Sequence, residues 1–198
     1  MKRQKGFTLV EIAIVMVIIG LLLGGTLKGR QIITNAKIKN LENDYQGLQA
    51  ACYLYRDRYS SLPGDDSRAK IHFGEELNQG NGDGYINGVF NSETETDESR
   101  LVWSHLRAAG LITGAKTATN LPLHAFSGLM GISSQLTMTR SMMTLVGTYV
   151  GFADISNEIA LILDSKLDDG YSDQGKIQSD SMAQYTGSGS SLNLYFSL

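Results

Sequence analysis

The sequence predicts an α+β fold in which a long N-terminal helix packs its distal half on a small antiparallel β-sheet. Three observations carry that expectation. Phe7 to Leu27 is an apolar run of 21 residues with one charged side chain, Glu11. From Ile38 to Tyr59 the apolar and aromatic residues recur at helical spacing. Towards the C-terminus, Met143 to Phe152 is β-rich, and Leu192, Leu194, Phe196 and Leu198 alternate with Asn193, Tyr195 and Ser197.

The N-terminal run is long enough to matter on its own. At about 1.5 Å per residue, a helix over it is roughly 30 Å long, enough to cross a bilayer core. Lys2, Arg3 and Lys5 precede it, followed by Gly6. A secretory signal has a shorter apolar region, of about 7–15 residues, with a small-residue cleavage site behind it. Here the run is longer and only Gly24-Gly25 stands in for such a site. A lipoprotein needs a cysteine directly after the apolar region, and Cys52 is too distant. A plain anchor fits the length but leaves Glu11 unexplained, because an ionised carboxylate in hydrocarbon is costly and usually functional.

The order basic leader, Gly6, Phe7, Thr8-Leu9-Val10-Glu11 and an unbroken apolar run resembles the type III signal of the type IV pilin superfamily, which includes type IV pilins, type II secretion pseudopilins and competence pilins. The resemblance implies cleavage after Gly6 by a membrane prepilin peptidase and methylation of the new Phe7 amine. It implies retention of the apolar segment, and pairing of Glu11 with the Phe7 amine of a neighbouring subunit, which sets register. A carboxylate snorkelling to the membrane surface is the alternative role for Glu11.

The helix is expected to continue beyond the membrane. Gly24, Gly25 and Gly29 interrupt it, either as local softness or as sites of close helix packing. Ile38, Leu41, Tyr45, Leu48, Cys52, Tyr55 and Tyr59 are spaced 3, 4, 3, 4, 3, 4, one face of an α-helix. This is the stem helix that the resemblance implies. Pro63 disfavours helix at Leu62, and residues 63–98 read as a long irregular loop. Ser99 to Ile112 reads as a short helix capped by Thr96 or Asp97 and ended by Gly110, with Trp103 as a core anchor. Leu129 to Met138 is a further strand. Ser156 caps a helix to Leu167 whose Ile159, Leu163 and Leu167 share a face. Residues 177–191, rich in Ser, Gly and Gln, are expected to be exposed.

Composition narrows the function. A chain of 198 residues, less an anchor, leaves one domain of ordinary size. The net charge is −3; without Lys2, Arg3 and Lys5 it is −6, from 14 basic against 20 acidic side chains. Such a domain binds nucleic acid poorly. Cys52 is the single cysteine, so an internal disulfide is excluded. It is read as a small buried apolar residue, with an intermolecular bridge as the alternative. His72, His105 and His124 are scattered and match no metalloprotease or nucleophile motif.

The segment Asn78 to Asn87 is the best candidate binding site. Against the EF-hand pattern D-x-[DN]-x-[DN]-G, Asn81, Asp83 and Gly84 occupy the third, fifth and sixth places, but Gln79 and Phe90 stand where two strong ligands belong. Glu93, Glu95, Asp97 and Glu98 lie just downstream and could complete an oxygen shell, with Asn81, Asp83, Asn87, Asp97 and Glu98 the candidate ligands, because Ca²⁺ accepts six to eight oxygens in loose geometry. Some pseudopilins resemble this chain in having a calcium-stabilised loop. The other reading is a glycine-rich turn whose Asn and Asp bond their own backbone. Asp164 to Asp173 is a second acidic cluster, with Lys166 as its neutralising partner. The K-x-D-D-G, P-G-D and W-x-H-L segments resemble those of pilin-like proteins and are taken as architecture.

These readings combine into a pilin-like chain. Residues 1–6 are a cleaved leader, 7–30 a transmembrane and assembly helix, and 31–198 a periplasmic domain that includes the stem helix to about residue 60. The expected function is structural rather than enzymatic: a minor pilin or pseudopilin, processed, N-methylated and assembled from the inner membrane into a type IV pilus or type II secretion filament. Its expected partners are homologous subunits, the prepilin peptidase/methyltransferase and the inner-membrane assembly platform. No cofactor is required, with Ca²⁺ the candidate ion. The alternative is a membrane-anchored periplasmic binding module that does not polymerise.

Overall fold

The computed structural model describes residues 6, 8–134, 145, 147–180, 184–186 and 191–198. The chain forms two units, Met1–Lys39 and Asn40–Leu198, and one helix, α1 (Leu9–Tyr59), runs through the boundary. The segment holds no proline, the residue that would interrupt the backbone ladder. Gly24, Gly25 and Gly29 lie within unbroken helix, and a Cβ at any of them would meet nothing within 4 Å. Among the described residues, no contact therefore requires them to be glycine.

In the first unit, every described side chain from Leu9 to Leu27 is exposed. In the second, the predicted stripe turns inward: Leu41, Leu48, Cys52 and Tyr55 are buried. Tyr45 is half-buried, its hydroxyl donating to the Ser197 carbonyl at 2.7 Å and its ring 4.9 Å from Phe196. Burial pushes the Cys52 thiol up to about 12, as suits a small core residue. The helix stops at Tyr59, before Pro63. Ser60 turns into the left-handed region at φ +54° while its N–H still reaches the Arg56 carbonyl at 2.8 Å.

The remaining elements are α2 (Ala69–Phe73), α3 (Glu98–Ala108), β1 (Met130–Ser133), β2 (Tyr149–Ser156), α4 (Asn157–Leu167), β3 (Ile177–Ser179) and β4 (Ser191–Ser197). The four strands form one antiparallel sheet in the order β1-β2-β4-β3. Val150 faces Phe196 and Phe152 faces Leu194, so these four line one face, the one that receives Tyr45. Burying each such side chain contributes roughly 1.5–3 kcal/mol. Tyr149, Gly151 and Tyr195 line the other face, and Phe90 of the long loop packs on it. Gly151 is required there, since a Cβ would lie 2.5 Å from the Phe90 ring.

Several boundaries differ from the sequence reading. The helix expected from Ser99 to Ile112 ends at Ala108: Gly110 takes φ +72° and the Leu111 N–H returns to the Leu106 carbonyl at 3.0 Å, closing the ladder early. Asp97 precedes α3, but its carboxylate accepts from the Ser92 hydroxyl at 2.6 Å and caps nothing. Ser156 precedes α4 as expected, without a side-chain cap, and Leu167 is partly exposed while Ile159 and Leu163 are buried. Residues 177–179, expected to be exposed, form the buried edge strand β3, because pairing with β4 overrides their polar composition. The loop from 63 contains the short α2. β2 starts at Tyr149, and the expected strand residues 143, 144, 146 and 135–138 lie outside the described residues.

Candidate functional site

Two regions carry chemistry, and the first is the helix start. Gly6 is exposed and outside the helix, as is Thr8; Phe7 lies outside the described residues. Thr8 and Glu11 form a reciprocal capping box. The Glu11 carboxylate accepts from the Thr8 N–H at 2.8 Å and from its hydroxyl at 2.7 Å, and the Glu11 N–H donates to Thr8 Oγ1 at 3.3 Å. The box explains how the chain places a carboxylate at the head of an apolar helix: two local hydrogen bonds from Thr8 satisfy it, and the positive end of the helix dipole faces it. Behind it, α1 offers an 18-residue window of mean hydropathy 2.5, none of it buried within the chain. Length and composition suit a membrane span.

The second region is built on the Pro63-Gly64-Asp65-Asp66 turn. Asp65 is buried, and its carboxylate gathers the glycine-rich loop: Oδ1 accepts the N–H of Gly82 at 2.6 Å and of Asp83 at 3.0 Å, and Oδ2 that of Gly84 at 2.9 Å. Glu98, at the start of α3, does the same from the other side. It accepts the Asn81 N–H at 2.8 Å, the Asn87 N–H at 2.9 Å and the Asn87 side-chain amide at 3.0 Å. Asp83 Oδ2 accepts the side-chain amides of Asn81 and Asn87, both at 3.0 Å. Asn81 Oδ1 and Asp83 Oδ1 each accept the N–H two residues on, at 2.8 and 2.9 Å, the self-bonded turns that Asn and Asp favour.

Burial pushes the Asp65 carboxyl above its ordinary value, against the pull of the Gly84 and Gly82 donors. The exposed Asp83 carboxyl is held low, chiefly by the Tyr85 N–H and the Asn87 amide. Asp65, Asp83 and Glu98 each offer one oxygen, all within 4.8 Å of one another. That spacing suits a hard cation with Ca–O distances of about 2.3–2.6 Å.

The structure thus joins Asn81, Asp83, Asn87 and Glu98. It takes Asp97 away to Ser92 and adds Asp65, which spacing alone did not single out. The signal for Asp65 is present in the sequence as a Pro-Gly turn followed by two aspartates, but its partners lie 17 to 19 residues ahead. Phe90, at the twelfth place of the motif, is a core anchor on the sheet.

In the second acidic cluster, Asp164, Asp168 and Asp169 also lie within 4.8 Å of one another. Their carboxylates accept the N–H of Gly170, Tyr171, Lys176 and Ile177 and the Tyr185 hydroxyl. Lys166 does not neutralise them as expected. It pairs with the buried Glu42 of α1, across to which the turn of α4 directs its side chain.

Residues 1–27 match the family model described as the prokaryotic N-terminal methylation motif. The chain therefore carries the type IV prepilin-like signal, and with its long apolar helix and small antiparallel sheet it has a pilin-like α+β architecture, fitting a pilin or pseudopilin. Comparison with curated proteins and with solved structures finds no match to the chain.

Proposed function

We propose that this chain is a structural subunit, a minor pilin or pseudopilin, of a type IV pilus-like or type II secretion filament. The methylation motif over residues 1–27 carries the reading and supports processing by prepilin peptidase. The apolar half of α1 supports an inner-membrane anchor, since its hydrophobic window is unburied among the described residues. Cleavage after Gly6 leaves Phe7 with a free amine to be methylated, and residues 7–30 hold the subunit in the bilayer and then join the filament core. Residues 31–198 form the periplasmic domain. Glu11 sets register by exchanging its Thr8 hydrogen bonds for the Phe7 amine of a neighbouring, homologous subunit on the assembly platform.

The mass of the mature protein tests processing. Loss of residues 1–6 with gain of one methyl group is expected, and an intact Met1 start would reject the reading. Glu11→Ala is expected to abolish filament incorporation; unchanged incorporation would favour the alternative, an anchored binding module that does not polymerise.

For the acidic loop we propose Ca²⁺ binding by Asp65, Asp83 and Glu98, with the Asn81 and Asn87 side chains beside them. Support comes from the three convergent oxygens and their all-oxygen chemistry. Millimolar CaCl₂ is expected to raise the unfolding midpoint relative to a chelator. An equal midpoint in both would leave the loop as a self-bonded turn.

A further inference from the structure

The Pro63–Asp66 turn that presents Asp65 is itself held by a buried imidazole. His105 sits on α3, two helical turns after Glu98, and is fully buried. Its Nδ1 accepts the Gly64 N–H at 2.9 Å, so Nδ1 carries a lone pair. The ring is therefore the neutral Nε2–H tautomer, and Nε2 donates to the Asn78 carbonyl at 2.8 Å. One side chain thus ties the turn on one side to the entry of the glycine-rich loop on the other.

The turn and the imidazole are each closely packed. Gly64 adopts φ +90°, and a Cβ there would lie 2.5 Å from the Glu98 carbonyl and 2.8 Å from Val102 Cγ2, so the turn is pressed against α3. The imidazole stacks on the Tyr55 ring of α1, with centroids 6.1 Å apart and planes 13° apart, which fixes its orientation.

We propose that His105 is a proton-sensitive latch: a proton added at Nδ1 expels the Gly64 N–H and frees the Pro63–Asp66 turn, together with the loop 80–84 that Asp65 holds. The chemistry is a clash of donors. A protonated ring presents N–H groups on both sides, so the bond from Gly64 becomes a donor facing a donor, while the Asn78 bond survives.

The charged and titratable groups around the ring decide how far it resists. On α1, Tyr55 is neutral and donates to Asp66 at 2.9 Å. On the turn, Asp66 also receives His72 Nδ1 of α2 at 2.8 Å, so its charge is already engaged. Glu98, on α3 itself, is engaged by Asn81 and Asn87. Burial lowers the affinity of His105 for a proton; the Asn78 carbonyl, Asp66 and Glu98 oppose this, and His72 adds to it. The latch is thus closed at neutral pH and opens on the acid side of about pH 6.5.

The test is hydrogen exchange of the full-length chain in detergent, read by mass spectrometry and corrected for intrinsic exchange. Peptides over 62–66 and 80–84 are expected to open faster as pH falls from about 7.5 to about 5, by up to about tenfold per pH unit where the imidazole titrates. Peptides over β2 and β4 are expected to change less. His105→Gln keeps an acceptor for Gly64 and a donor for Asn78 but cannot titrate, and is expected to flatten the loop response. His72→Gln controls for the other imidazole and is expected to retain it.

A His105→Gln chain that opens with acid as the wild type does would overturn the proposal, as would loss of the response in His72→Gln alone. If His105→Gln does not fold, the imidazole ¹⁵N shifts of the wild-type chain decide. Titration at His105 coincident with loop opening supports the latch, and opening without it refutes it.

Discussion

Replacing Asp65 by Ala removes the acceptor for three backbone N–H groups, those of Gly82, Asp83 and Gly84. A hydrogen bond to a charged group contributes roughly 1.5–3 kcal/mol. The loop residues are exposed, so water replaces part of the lost bonding, and burial of the Asp65 carboxylate already offsets part of its worth. The net loss is therefore nearer one or two such bonds than three, about 3 kcal/mol. For a chain of this size that lowers the unfolding midpoint by about 6–12 °C. Trp103, the single tryptophan, is buried on α3 between Glu98 and His105, so its fluorescence reports unfolding of the clasp directly. The assay is thermal unfolding of the full-length chain in detergent and chelator, with Asp97→Ala as comparator, which loses the Ser92 bond. A midpoint for Asp65→Ala within about 2 °C of wild type would refute the idea that this carboxylate organises the loop.

Three further outcomes follow from the packing and the buried polar groups. Gly151→Ala places a methyl 2.5 Å from the Phe90 ring and is expected to cost about 1–3 kcal/mol, read as a lower denaturation midpoint. His124 donates from Nε2 to the Ala153 carbonyl at 2.7 Å, and its Nδ1 accepts the Phe126 N–H at 3.2 Å; burial depresses its proton affinity, opposed by the Ala153 carbonyl, Asp44 and Asp154. The unfolded chain then binds more protons, so this stability is complete above about pH 6.5 and lost as pH falls below it. Denaturant midpoints of wild type and His124→Gln are expected to converge on acidification, and parallel profiles would refute the assignment. Lys166→Met removes an ion-pair partner of the buried Glu42 carboxylate and is expected to destabilise by about 1–2 kcal/mol, with Glu42→Gln/Lys166→Met recovering part of it in a double-mutant cycle.

The parts of the fold governed by periodicity were legible in the sequence. The stripe from Leu41 to Tyr55 repeats at 3 and 4 because one helical face must be buried, and it is. Gly110 and Ser156 marked helix ends through local backbone preference. β3 was illegible because Ile177-Gln178-Ser179 has no strand pattern of its own; its burial comes from pairing with the next strand, β4, in the register that sets Ile177 opposite Phe196. The candidate loop divides the same way. Asn81, Asp83 and Asn87 were visible through short-range turn chemistry. Asp65 was not, because its bonds span 17 to 19 residues, and Asp97 was misplaced because proximity in sequence to Glu98 says nothing of which way a pre-helical carboxylate turns.

The clasp around residues 63–98 also bears on how a domain with one cysteine keeps a long loop ordered. A disulfide would close such a loop covalently. Here two carboxylates, Asp65 and Glu98, cross-link segments that a disulfide would otherwise join, each by three N–H donors, and the imidazole of His105 holds the turn beneath them. The arrangement differs from a disulfide in its response to conditions. It does not depend on redox state, but it is reversible and depends on proton concentration, because carboxylates and imidazole are its working groups. A loop built this way is ordered where the pH is neutral and loosened by acid. A disulfide in the same position would hold it ordered in both.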